Sequence, residues 1–104
     1  MCDSQPYYSY VAVRTDIPLA DQMVQAVHAG QEAAFAVSKP DRPVHLVLFQ
    51  VKNEEELLKV ASKLHLEHRL FYEPDDGMAH TALATLPTLE RKVKAFNRLK
   101  LWGK

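Results

Sequence analysis

Several common functional signatures are absent from this 104-residue chain, which contains one cysteine and three glycines. A single cysteine excludes a disulfide within the chain, and Cys2 alone makes neither a metal site nor a convincing nucleophile. Gly30, Gly77 and Gly103 form no phosphate-binding loop, and no CxxC, HExxH or G-x-S-x-G motif occurs. No segment reaches the roughly 18 apolar residues of a membrane span. We therefore expect no metal, no cofactor and no membrane partner.

An excess of charge of one sign is also lacking, since 13 Lys and Arg balance 13 Asp and Glu. The molecule as a whole is therefore not an obvious polyanion binder. The charges are nevertheless unevenly distributed: residues 53–76 carry seven acidic and three basic side chains, and residues 90–104 carry six basic and one acidic. The basic segment is either a local positive face or the solvated side of a last helix. The opening MCDSQPYYSY does not have the pattern of a signal peptide, so a reducing cytoplasm is the expected compartment.

Composition and periodicity predict one domain over residues 1–104, in which 47% of residues are hydrophobic and 25% charged. Alternating or apolar runs predict strands at 7–15, 44–51, 68–73 and 80–86. Helical spacing predicts helices from 19 to about 38, after Asn53, and from Leu89 through Val93 and Phe96. The expected fold is α/β, a four-stranded mixed sheet with three main helices in the order β-α-β-α-β-β-α. Its two crossovers favour parallel pairing and its PDDG turn an antiparallel hairpin.

The first helix carries two stripes of different character. The apolar stripe is predicted to be buried, and it comprises Met23, Val27, Gly30, Ala34 and Val37. The neighbouring polar stripe comprises Asp21, Gln25, His28 and Glu32. The second strand, VHLVLFQV, is almost wholly apolar, which predicts that it is covered on both faces.

Polar residues are expected to gather beyond the carboxyl ends of the parallel strands, where ligand sites of α/β sheets usually lie. The first strand ends at Arg14, Thr15 and Asp16, and the next helix presents Gln25 and His28. There, His28 beside a carboxylate is a candidate general base, and Arg14 at a helix N-terminus could hold a phosphate or carboxylate. The remaining candidates are Asp75, Asp76, Gly77, His80 and Thr81, in and after the PDDG turn. A solvated helix edge and an ordinary turn are the alternative interpretation. His65 and His68 are interpreted as surface histidines.

The segment YVAVRTDIPLADQMVQAVHAG resembles the opening of the archaeal and eukaryotic type of peptidyl-tRNA hydrolase. That family reads roughly V-V-R-T-D, a lysine- and glycine-rich turn, then a helix with A-A-Q-C-A-H-A. VKNEEELLKVASKL is similar to the family's second helix with its preceding strand, and PDDG followed by TALATLP to its R-D-A-G turn and final strand. The likeness covers about residues 8–90. It implies the type 2 peptidyl-tRNA hydrolase fold and hydrolysis of the ester between a peptide and tRNA.

The resemblance also implies roles for individual residues. Those implied to be catalytic are His28, Asp75 and Thr81, and those implied to bind substrate are Arg14, Asp16, Gln25 and Gly77. Asp76 and His80 are added to the predicted substrate-binding residues because of their position in and just after the PDDG turn, not because of the resemblance. A polarised water would attack the ester carbonyl, oriented or deprotonated by Asp75 and His28, without metal or cofactor.

The sequence departs from the family at its lysine-rich turn, which IPLAD replaces. Asp21 lies where the last lysine would be, and MAH replaces the arginine and threonine-glutamine after the later turn. The chain is therefore predicted to be a divergent peptidyl-tRNA hydrolase, or a member of that fold that has lost catalysis and binds a ligand, RNA or protein. A third hypothesis is a small regulatory or assembly module unrelated to the family. A homodimer is expected, because small sheets with an exposed edge or face often pair.

Overall fold

Strands and helices alternate along most of the chain, and the structure, a computed structural model, describes residues 5–104. The strands are β1 (Tyr7–Arg14), β2 (Val44–Val51), β3 (His68–Glu73), β4 (Ala79–Thr85) and β5 (Lys100–Leu101). The helices are α1 (Leu19–Phe35) and α2 (Glu54–Lys63), with single 3₁₀ turns at Asp75–Gly77 and Lys94–Phe96. Cys2 lies outside the described residues. No helix within residues 5–104 is long and apolar enough to cross a membrane.

The five strands form one mixed sheet in the order β3-β4-β1-β2-β5. β1 and β2 pair in parallel through the α1 crossover, and β4 is antiparallel to both of its neighbours, β3 and β1. The predicted α/β class, the parallel crossover and the antiparallel hairpin are confirmed. The prediction of four strands and three helices is wrong in detail, because the structure has five strands and two α-helices.

The predicted third helix is replaced by an irregular segment with bends at Leu89 and Arg91, one 3₁₀ turn and β5. The backbone at Thr88 pairs with the start of β1. The hydroxyl of Tyr10 donates to the carbonyl groups of residues 90 and 91, which are therefore already satisfied without a helical ladder. Val93 and Phe96 are buried, as the pattern predicted, but Val93 lies in the irregular segment and Phe96 in the 3₁₀ turn rather than on one α-helix.

The second helix begins where the sequence predicted, because its first turn is capped. The Asn53 side chain accepts from the Glu56 N–H at 2.9 Å, and the Glu56 carboxylate accepts from the Lys52 N–H at 2.7 Å. The first of these bonds satisfies a backbone donor that the helix leaves free, and the second ties the residue before the cap to the first turn. Leu57 and Val60 are buried against one face of the sheet, which we call the α2 face.

The first helix covers the opposite face, the α1 face, mainly over β4, β3 and β1. Ala29 and Ala33 are buried there against a layer of small and β-branched side chains, Val11, Val13, Ala82 and Ala84. Alanine on both sides of this contact lets the helix backbone lie close to the sheet. The contact between α1 and the sheet is therefore made by small side chains that pack closely, rather than by large apolar ones.

The predicted burial of the apolar stripe of α1 is wrong. Met23 and Val27 are 59% and 65% exposed, whereas the buried residues of the helix are Gln22, Gln25, Ala29 and Ala33. Two glutamines can be buried because their amides are hydrogen bonded inside the protein. The helix is thus turned so that its apolar stripe faces outward.

The expectation that β2 is covered on both faces is also wrong. Leu46, on the α1 face, is 69% exposed, because α1 lies mainly over the strands on the other side of β1. An apolar groove therefore runs between α1 and β2.

Candidate functional site

Two polar clusters lie at the end of the sheet where β1 and β3 finish and both helices begin. On the α1 face is the Gln25 cluster, which comprises Gln25, His28, Glu73, Asp75 and Thr81. On the α2 face is the Glu54 cluster, which comprises Arg14, Asp16, Glu54 and His80.

Hydrogen bonds link the Gln25 cluster from the sheet interior to its surface. The Thr81 hydroxyl, 0% exposed, donates to Oε1 of Gln25 at 2.7 Å. Nε2 of Gln25, itself 3% exposed, donates to Oε1 of Glu73 at 3.0 Å. The backbone N–H of Asp75 donates to the other Glu73 oxygen at 3.2 Å. Both carboxylate oxygens of Glu73 are therefore held by donors, which fixes the orientation of the charged group.

A β-bulge determines which face each side chain of β4 reaches. Phe71 of β3 pairs with Ala82 of β4, whereas Tyr72 pairs with His80, which leaves Thr81 as an extra residue. Ala82 belongs to the core under α1, and Thr81 bonds to Gln25 on that same helix. His80 instead contacts α2. The bulge thus turns two consecutive side chains to the α1 face and separates Thr81 from His80.

His28 lies three residues beyond Gln25 on α1 and packs flat on Phe71. The two ring centroids are 4.7 Å apart and the planes differ by 4°. The imidazole is half-buried, so one part of it remains accessible. The aromatic contact fixes the plane of the ring, which a proton-transferring group requires.

The environment of Glu73 favours its ionised form. The Gln25 amide lowers the pKa of this carboxyl below its usual range, and the Asp75 N–H and the nearby His28 act in the same direction. A carboxylate with a lowered pKa is a weak proton acceptor. Glu73 is therefore suited to stabilising positive charge on a neighbouring imidazole rather than to taking the proton itself.

The Glu54 cluster uses most of its polar groups internally. Nε and Nη2 of Arg14 donate to the two Asp16 carboxylate oxygens at 2.8 and 2.9 Å. This contact lowers the pKa of Asp16 and raises the pKa of Arg14. One Glu54 oxygen accepts from the His80 backbone N–H at 3.1 Å and lies 3.0 Å from Nδ1 of the ring, and these contacts hold the pKa of Glu54 below its usual range.

Three residues in and just after the turn between β3 and β4 lie in the left-handed region, with φ of 55° at Asp76, 66° at Gly77 and 62° at Ala79, the first residue of β4. Alanine is unfavourable in this region because its Cβ approaches the backbone. Nη1 of Arg14 donates to the carbonyl groups of Met78 and His80, on either side of Ala79. Arg14 therefore supports a strained segment, and all of its nitrogen atoms are engaged within the protein.

The structure separates the predicted site residues by face. Gln25, His28, Asp75 and Thr81 are brought to the α1 face, where Asp75 contributes a backbone N–H and its carboxylate is exposed. Arg14, Asp16 and His80 belong to the Glu54 cluster on the α2 face. Asp76 and Gly77 are exposed at the tip of the turn.

Sequence reasoning missed Glu73, Phe71 and Glu54. The first two could have been found, because alternate residues of a strand share a face. Phe71 and Glu73 precede Asp75 at this spacing and both contact α1 side chains. The Glu54–His80 pair depends on the bulge, which the sequence does not indicate.

The charged side chains around the Gln25 cluster are mostly acidic, since Glu73, Asp75 and Asp76 lie in or beside it. The basic segment after residue 90 packs elsewhere. Val93 and Phe96 fix it to the α2 face, and β5 continues along the edge of β2. Within the described residues, no group of three or more His, Cys, Asp or Glu side chains is arranged to hold a metal ion.

No protein-family model matches this chain, and no curated protein matches it at a significant level. The resemblance to peptidyl-tRNA hydrolases therefore stays a prediction from the quoted motifs.

Proposed function

We propose that this chain is a divergent hydrolase of the peptidyl-tRNA hydrolase type, which cleaves the ester between a peptide and tRNA at the Gln25 cluster. The observation that carries the proposal is the hydrogen-bonded chain from Thr81 through Gln25 to Glu73, beside the stacked ring of His28. An oriented carboxylate next to an accessible imidazole is an arrangement that can activate a water molecule.

Each residue has a distinct role in this proposal. His28 accepts a proton from the water that attacks the ester carbonyl, and returns it to the ribose oxygen of the tRNA as the ester C–O bond breaks. Glu73 stabilises the imidazolium that exists between these two proton transfers. Asp75, exposed at the rim, orients the water or the substrate amide. Thr81 is fully buried and donates to Gln25, so it positions the amide and does not touch the substrate. No metal or organic cofactor enters this scheme.

The same corner of the molecule supports a different role for three of the predicted binding residues. Arg14 is fully engaged with Asp16 and with backbone carbonyl groups around His80. These residues hold the β3–β4 turn in place, and that turn carries Asp75. We assign them to positioning the turn rather than to binding a phosphate.

A second candidate function is binding without catalysis, by a member of the same fold. The acidic surroundings of the Gln25 cluster favour it, because Glu73, Asp75 and Asp76 would repel a phosphate backbone. Cationic contacts to phosphates dominate the affinity of proteins for nucleic acids. This candidate predicts weak, salt-sensitive tRNA binding or none. In either case the expected partners are peptidyl-tRNA, or tRNA alone, and a second copy of the chain.

Hydrolysis of a peptidyl-tRNA by the purified protein tests the proposal. The wild type should release peptide, and His28→Ala and Asp75→Ala should each release it more slowly. A drop of about 100-fold or more is expected for His28→Ala, in the range that a general base contributes. No turnover by the wild type would reject the enzymatic proposal and leave the binding role. Turnover that neither substitution changes would reject the residue assignments.

A further inference from the structure

A large apolar surface lies outside the Gln25 cluster. It is the groove between α1 and β2, called here the α1 groove, with a volume of about 890 Å³. One wall is the outward stripe of α1, including Met23 and Val27, and the floor is the α1 face of β2, including Leu46 and Leu48. Among residues 5–104, Lys39 is the only charged residue that lines it.

The groove has the size and place of a missing helix. Neighbouring helices pack about 8–10 Å apart, and strands are about 4.8 Å apart, so one helix covers about two strands. Because α1 lies mainly over β4, β3 and β1, the next helix position on this face is over β2. Gly30 borders the groove, and among the described residues no heavy atom outside its chain neighbours and the nearby backbone of α1 lies within 4 Å of the position that a Cβ would take there. A second helix could therefore approach α1 closely at this point.

We propose that the occupant is α1 of a second copy of this chain, in a two-fold symmetric dimer. Each α1 would lie beside its partner in a layer between the two sheets, and would cover β2 of the other copy. Such an interface is self-complementary, because each chain offers both an apolar helix ridge and an apolar trough. Of the two described α-helices, only α1 has an exposed apolar ridge that could fill the groove of another copy. The exposed side of α2 carries mostly charged and polar residues.

The exposed apolar residues agree with a dimer of ordinary size. A specific interface of ordinary size buries roughly 800 Å² on each partner, and its centre is the most apolar part. Six apolar residues on and beside the α1 groove, each between 39% and 69% exposed, could form the centre of such an interface. The six are Leu19, Met23, Val24, Val27, Val37 and Leu46.

The oligomeric state of the full chain, measured by analytical ultracentrifugation, tests this proposal. The wild type should have twice the 11.8 kDa mass of one chain at micromolar to hundred-micromolar concentrations. Val27→Glu and Leu46→Asp should each weaken dimerisation at least about tenfold, because each places two unpaired charges in one apolar interface. The matched control is Leu58→Glu, at a 38% exposed leucine on α2, which should leave the dimer unchanged.

Circular dichroism of each variant separates a lost interface from a lost fold. Folded, monomeric Val27→Glu and Leu46→Asp beside a dimeric Leu58→Glu support the proposal. A wild type that stays monomeric overturns it, as does a dimer that survives both groove substitutions with the fold intact. If either groove variant unfolds, Gly30→Leu, which fits the open space within one chain, should be folded and monomeric, and a dimeric Gly30→Leu overturns the proposal. These outcomes do not depend on hydrolysis of any substrate.

Discussion

Removal of the Gln25 amide should destabilise the protein more than any surface change on the same helix. In Gln25→Ala, the buried Thr81 hydroxyl loses its acceptor. A buried polar group left unsatisfied costs about 1–3 kcal/mol, and the truncated side chain leaves a cavity as well. We expect the free energy of unfolding to fall by about 2–4 kcal/mol. In a chain of this length, that corresponds to a fall in Tm of roughly 10–25 °C.

Urea unfolding of a double-mutant cycle isolates the hydrogen bond itself. Thr81→Val keeps the shape of the side chain and removes its hydroxyl, which should cost about 1–2 kcal/mol. Because each single substitution removes the same bond, the double variant should cost about 1–2 kcal/mol less than the sum of the two. The matched control, Gln31→Ala, changes an exposed glutamine of α1 and should stay within about 0.5 kcal/mol of the wild type.

Two results would refute this reasoning. One is a Gln25→Ala variant as stable as Gln31→Ala, which would mean that the buried amide is not held as the structure has it. The other is strict additivity in the cycle, which would mean that the Thr81 hydroxyl has a different acceptor. The slope of the urea dependence should be the same in all variants, so that stability alone is compared.

Three further predictions concern charge and the C-terminus. The Glu73 carboxyl, followed by NMR titration, should have a pKa below its usual value, and Gln25→Ala should raise it. Since the folded pKa is below the unfolded one, the stability from Glu73 is present above the unfolded pKa and is lost as the pH falls through the folded pKa. Gln25→Ala should therefore weaken the acid dependence of stability, and an unchanged dependence would contradict the assignment. Arg14→Ala should raise the pKa of Asp16 and lower the free energy of unfolding by about 1–2 kcal/mol, because it also frees the carbonyl groups around a strained turn. A loss below about 0.3 kcal/mol in urea unfolding would argue against that support. Trp102→Phe should cost about 1 kcal/mol in the same assay, because the indole N–H donates to a buried side-chain amide of α1 at 2.8 Å, and an equally stable variant would contradict that contact.

Signals within a few neighbouring residues were sufficient to predict the elements whose ends are set by a helix cap or a turn. The Asn53 cap places the start of α2, and the PDDG turn forces β3 and β4 into a hairpin. The alternation of β1 and the order of the strands and α-helices from β1 to β4 follow from periodicity. These features depend on residues within a few positions of one another, and all of them were predicted.

The rotation of α1 about its axis could not be predicted, because the helix has an apolar stripe and a polar stripe, and either could face the sheet. The apolar stripe is the one that is exposed. Burial of Gln25 is favourable only when Thr81 and Glu73 are in place, and both come from strands more than 45 residues away. The prediction of a third helix in the C-terminal segment was wrong for a similar reason. Val93 and Phe96 have helical spacing, but the Tyr10 hydroxyl bonds to the preceding backbone, which follows an irregular path instead of a helix.

The sequence indicated several residues of the candidate site, but it did not indicate how they are arranged on the two faces of the sheet. Gln25, His28 and Thr81 are brought to one face as expected, but the bulge in β4 sends His80 to the other. A single extra residue in a strand reverses the faces of all residues before it. Nothing in the local sequence of β4 indicates where that residue lies.

The measurement that tests the central claim most directly is release of peptide from a peptidyl-tRNA, followed for the wild type, His28→Ala and His65→Ala. His65 is an exposed histidine that pairs with Glu90 and takes no part in the Gln25 cluster, so it is the matched control. We predict turnover by the wild type and by His65→Ala at equal rates, and a loss of about 100-fold or more in His28→Ala. No turnover by the wild type, or equal rates in all three proteins, would contradict the account.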